Sequence, residues 1–79
     1  MNKKKSLEEQ EKEVKSIIAY KIKQSGLTLT QLAKKSNLSL STVYKLSEEK
    51  MLPRVSTLYK ISKGLGITLA ELFKKETND

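Results

Sequence analysis

Apolar residues return along this chain at helical spacing and nowhere in the strict alternation that marks a half-buried strand. Val14, Ile17, Ile18 and Ile22 fall at i, i+3, i+4 and i+8. They form one stripe of an amphipathic helix that Gly26 stops, with Lys15, Lys21 and Lys23 off the stripe. Thr28 and Gln31 have the spacing of a capping box, in which each side chain bonds the other's backbone N–H. They open a second, short helix faced by Leu29, Leu32 and Ala33. At "SNLS" the chain turns. Asn37 tolerates a left-handed backbone, Leu38 can bury itself in the corner, and Ser39 can cap a third helix running from about Leu40 to Leu46. Pro53 ends the next loop, after which Leu58, Ile61 and Leu65 mark a fourth helix closed by Gly66. Thr68 with Glu71 opens a fifth, carrying Leu69, Leu72 and Phe73. The expected fold class is all-α, with five helices and no internal repeat.

The N-terminal segment is ambiguous. Ser6 and Glu9 have capping-box spacing and Glu8 precedes Lys12 by four, which allows a helix start near Leu7. No apolar stripe accompanies those signals, so residues 1–12 are expected to form a flexible lysine- and glutamate-rich arm, with a short tail at 76–79.

Composition narrows what such a bundle can do. A chain of 79 residues holds one small domain that buries only about 60% of its unfolded surface, which leaves no room for a large enclosed substrate pocket. Cysteine is absent, so helix packing must hold the fold without disulfides or a thiolate metal site. Histidine is absent too, the sole aspartate is Asp79, and neither a Gly-rich phosphate loop nor a paired-carboxylate site appears. An enzyme is not expected, nor is a cofactor or a metal. No apolar run approaches the roughly 18 residues of a membrane span. The start "MNKKKSLEEQEKEVK" lacks the apolar stretch of a signal peptide, so the expected location is cytoplasmic, away from membranes.

The net charge of +7 becomes informative once it is divided along the chain. Residues 1–13 are neutral and residues 64–79 carry −1, while the segment between holds nine lysines and Arg54 against Glu48 and Glu49, a net +8. The positive field sits on the central body. A polyanion is the natural partner, although lysines also simply solubilise small helical domains.

The sharp break between the second and third helices acquires a purpose if they form a helix-turn-helix. The first helix then braces across the phosphate backbone and the second enters a major groove about 12 Å wide. Leu32, Ala33, Leu38, Val43 and Leu46 can all point to one core, the small Ala33 letting the two helices cross closely. That leaves Leu40, Ser41, Tyr44 and Lys45 facing outward.

The run "GLTLTQLAKKSNLSLSTVYKL", followed by "PRVSTLYKISKGLGITLAELF", resembles the XRE, or Cro/CI-type, helix-turn-helix family over residues 14–75. The "GLT..QLA" opening, the serine-capped "LS.STV" helix, the proline and the "L..I..GLGITL.EL" tail stand in the family's order and spacing. The resemblance implies a five-helix lambda-repressor-like DNA-binding domain over residues 13–75, acting as a dimeric regulator, most often a repressor, on a two-fold operator. Three positions depart from the family pattern. Leu29 stands where a phosphate-touching glutamine is common, Asn37 replaces the usual turn glycine, and "SEEK" replaces the usual glutamate, polar residue and glycine after helix three. The loop over residues 47–52 is therefore expected to have a different shape.

Carried onto this sequence, the resemblance makes Leu40, Ser41, Tyr44 and Lys45 candidates for reading bases. Leu40 can press on a thymine methyl, Ser41 can pair with either kind of base edge, and Lys45 can reach guanine O6 and N7. Thr28, Gln31, Lys34, Lys35, Ser39, Thr42, Lys50 and Arg54 are candidates for phosphate. Each has a plainer reading: Ser39 as a helix cap, Leu40 as spare core, Tyr44 as cover for the junction with helix one. Met51, Leu52, Leu69 and Phe73 are candidates for a homodimer contact, with Phe73 alternatively sealing the core. Lys3, Lys4 and Lys5 could lie along phosphates. The rival function is an antitoxin that neutralises a protein partner while binding its own promoter. A cationic membrane binder, helical only on lipid, is a further alternative.

Overall fold

The structure, a computed structural model, describes residues 6–74. The lysine cluster Lys3 to Lys5 and the tail at 76–79 lie outside the described residues. Five helices follow one another: α1 (Leu7–Gln24), α2 (Leu29–Ser36), α3 (Leu40–Ser47), α4 (Val55–Leu65) and α5 (Leu69–Leu72). No strand occurs among the described residues.

Helix starts follow the side chains that can satisfy the orphan N–H groups of a first turn. Reciprocal capping boxes open α1, α2 and α5. The Ser6, Thr28 and Thr68 hydroxyls accept from the N–H three residues on, and the Glu9, Gln31 and Glu71 side chains accept the N–H of the cap. The box at Ser6 corrects the expected arm. Residues 7–12 are helical, because local capping and the acidic first turn support a helix there without an apolar stripe.

Helix ends follow a second rule. Asn37 (φ 56°), Glu49 (φ 59°) and Gly66 (φ 74°) are left-handed. After each one the chain folds back, so that the N–H of Leu38, Lys50 or Ile67 donates to the carbonyl five residues earlier, at 3.0, 2.8 and 3.0 Å. Glu49 thus takes the left-handed conformation that glycine would take at no steric cost.

The core draws on all five helices: Ile18 and Ile22 from α1, Leu32 and Ala33 from α2, Val43 and Leu46 from α3, Ile61 from α4 and Leu72 from α5. Val14, Leu29, Leu38, Leu58, Leu65, Leu69 and Phe73 pack around its margin. Helices α2 and α4 pack together where buried Gly64 faces Ser36 and Leu32. A side chain at position 64 would run into the Ser36 hydroxyl, so glycine is what allows the crossing. Ser36, Ser47 and Ser62 are buried on helix faces. Ser47 and Ser62 donate to the carbonyls of Tyr44 and Tyr59, each at 2.8 Å, and so need no outside partner. The Ser36 hydroxyl has no partner among the described residues.

Candidate nucleic-acid interface

Helices α2 and α3 are joined by three residues, Asn37, Leu38 and Ser39. Left-handed Asn37 ends α2, Leu38 packs on the margin of the core, and the Ser39 hydroxyl accepts the Thr42 N–H at 3.1 Å to start α3. Packing then decides which side of α3 is left free. Val43 and Leu46 are 0% and 2% exposed, whereas Leu40 and Tyr44 are 51% and 45% exposed, and Ser41 and Lys45 lie open beside them. The expected base-reading set therefore shares one uncovered face. Leu40 is not spare core: that place is filled by Val43 and Leu46.

The phosphate candidates fall into two kinds. Thr28, Gln31, Ser39 and Thr42 are engaged in capping, yet each cap leaves a donor. Gln31 Oε1 accepts the Thr28 N–H at 2.9 Å, so its amide NH₂ remains available. Thr28 Oγ1 accepts the Gln31 N–H at 3.1 Å and keeps its own proton. Ser39 Oγ donates to Thr42 Oγ1 at 2.8 Å, which leaves the Thr42 hydroxyl proton free. Lys34, Lys35 and Arg54 are exposed cations, the lysines in the last turn of α2 and Arg54 at the cap position of α4. Lys50 differs. Its Nζ lies 5.3 Å from the ring centroid of Tyr44, which ties a phosphate candidate to a base-reading candidate.

The four dimer candidates differ in exposure. Met51, Leu69 and Phe73 are half-buried and pack against the core, while Leu52 is exposed. Sequence reasoning did not single out Val55 and Tyr59, apolar residues more exposed than Leu52, at 67% and 64%. They stand four apart on the outside of α4, one turn above the other. The missing signal was the start of α4 at Val55, a full turn before the stripe that begins at Leu58.

Among the described residues there is no cluster of three or more potential metal ligands, and no helix is long and apolar enough to cross a membrane. A family model described as helix-turn-helix, HTH_3, matches residues 18–72. The chain belongs to the XRE family of helix-turn-helix proteins. The match takes in α2, the turn and α3 entire and leaves residues 7–17 of α1 outside it. As an XRE-family member the chain is a DNA-binding transcriptional regulator, and the family is not one of enzymes. Neither a curated protein nor a solved structure matches this XRE-family chain.

Proposed function

We propose that this regulator is a dimeric repressor that reads a two-fold operator with the exposed face of α3. The observation that carries the reading is the composition of that face. A free domain gains nothing from leaving a leucine and a tyrosine in water beside a serine and a lysine, whereas a major groove offers thymine methyls, base edges and guanine acceptors to all four. In this reading Leu40 meets a methyl group, Ser41 and Tyr44 bond base edges, and Lys45 bonds guanine O6 and N7. The donors left over from capping at Thr28, Gln31 and Thr42, the last held in place by Ser39, together with Lys34, Lys35 and Arg54, hold phosphates and set the register.

Two copies would place their recognition helices about 34 Å apart on successive turns of one groove. The exposed apolar residues available to a second copy include Leu52, Val55 and Tyr59. The same exposed strip favours a second reading, an antitoxin whose protein partner covers it. Selecting randomised duplexes with the purified chain tests the proposal. A repressor of this kind returns an inverted repeat with half-sites one helical turn apart, and sedimentation with that duplex gives two chains per site. A pool that stays random, or a single half-site bound by one chain, contradicts it. Co-purification of a stoichiometric protein partner covering Tyr59 would favour the antitoxin.

A further inference from the structure

The turn that ends α3 does more than stop the helix. Glu49 is left-handed, and the Lys50 N–H then donates to the Lys45 carbonyl at 2.8 Å. This bond folds residue 50 back along α3 instead of sending it on toward Pro53. The Lys50 ammonium comes to stand over the Tyr44 ring, 5.3 Å from its centroid. An ammonium within about 6 Å of an aromatic face is held by the ring's negative face, and at an exposed site this biases an orientation by about two- to five-fold. Lys50 is exposed and Tyr44 is 45% exposed, so the ring keeps room to reorient and the ammonium over its face can bias where it points. The same exposure lets a partner outside the domain reach the Tyr44 hydroxyl.

We propose that Lys50 is a positioning residue for sequence reading. Its ammonium stays over Tyr44 and holds the ring in the orientation that meets one base pair, instead of serving as an ordinary phosphate contact. The inference rests on the reading of α3 as the groove helix. Its logic is that of preorganisation. A tyrosine already held in its binding orientation loses less freedom when it meets its base, and the gain is confined to the base pair that the ring touches. A lysine on phosphate behaves differently, strengthening every sequence alike and adding to the salt dependence.

The test uses the full chain and the duplex it selects. Affinities are measured at fixed salt against every single-base variant of that site, for the unaltered protein and for Tyr44→Leu, Lys50→Ala and Lys50→Arg. Tyr44→Leu locates the symmetric base pair that depends on the ring. Lys50→Ala should lose about two- to five-fold discrimination at that same pair and leave the others unchanged. Lys50→Arg, which can also stack on a ring, should keep the discrimination. In the free protein, the Lys50 side-chain methylene protons should show an upfield ring-current shift that Tyr44→Leu abolishes. If Lys50→Ala weakens all variants equally and lowers the salt slope by about one, Lys50 is a phosphate contact. The inference then falls while the groove reading stands. If the unaltered protein selects no site at all, the groove reading fails and takes the inference with it.

Discussion

Replacing Gly64 by alanine tests the packing that holds α2 in place. Alanine is the better helix former by about 1 kcal/mol, so propensity alone predicts a more stable protein. The crossing predicts the reverse. A Cβ at position 64 would run into the Ser36 hydroxyl, and it would also lie 3.0 Å from Ser36 Cβ and 3.1 Å from Leu32 Cδ1. The hydroxyl can rotate and the leucine methyl can yield, but Ser36 Cβ moves only with its helix. Overpacking of a tight contact costs roughly 1–3 kcal/mol. Set against the propensity gain, the net expectation is a loss of up to about 2 kcal/mol, which in a domain of this size lowers the melting temperature by up to about 15 °C. Thermal and urea unfolding followed by circular dichroism would measure it. The companion variant is Ser36→Gly, which removes both offending atoms. In Ser36→Gly/Gly64→Ala the clash is relieved, so the double variant should be more stable than the sum of the two single effects by about 1 kcal/mol or more. A Gly64→Ala protein at least as stable as the parent, or strict additivity in the cycle, would show that the α2–α4 crossing is looser than described.

Glu49→Gly should stabilise the chain by about 0.5–1 kcal/mol. Relieving a left-handed non-glycine residue is worth about 1–2 kcal/mol, partly offset by the freer unfolded chain, and urea midpoints would show it. At Glu71, the hydrogen bond from the Thr68 N–H, then that from the Thr68 hydroxyl, holds the carboxyl below its ordinary value. The corresponding stability is present above the unfolded carboxylate range and is lost as pH falls through the folded value. Glu71→Gln keeps an acceptor for the Thr68 N–H, so the gap between parent and variant should be widest near neutrality and close in acid. A gap that widens in acid would contradict the assignment.

The parts of the fold legible in the sequence were those decided locally. The boxes at Thr28 and Thr68 form as their spacing implies, and Asn37 and Gly66 take the left-handed turns expected of them. The box at Ser6 was equally visible, but the lack of an apolar stripe argued against it, and an exposed first turn held by its own cap needs no stripe. Features that depend on two distant elements could not be read. Nothing in "SKGLG" says that Gly64 rather than Gly66 faces another helix, and nothing marks Ser36 as its neighbour. Serines on the apolar faces also escaped notice, because Ser47 and Ser62 are made tolerable there by their own helix carbonyls. At the interface, the outward set on α3 followed from its periodicity. The pairing of Lys50 with Tyr44 did not, since six residues is no helical spacing and the contact exists through the unexpected left-handed Glu49.

The central claim is that the exposed face of α3 reads bases while α2 serves the backbone. Lys45 lies one turn beyond Ser41 on that face, whereas Lys34 and Lys35 end α2. The most direct measurement is the affinity of Lys45→Ala, beside Lys34→Ala and Lys35→Ala, for the selected site and each of its single-base variants at one salt concentration. None of the three side chains is buried, so melting curves should be unchanged. Lys45→Ala should cost on the order of 1–3 kcal/mol and erase preference at one symmetric pair of positions, with Lys34→Ala and Lys35→Ala weakening all sequences alike. Equal loss across every variant for Lys45→Ala would make Lys45 a phosphate contact and contradict the assignment of base reading to that face.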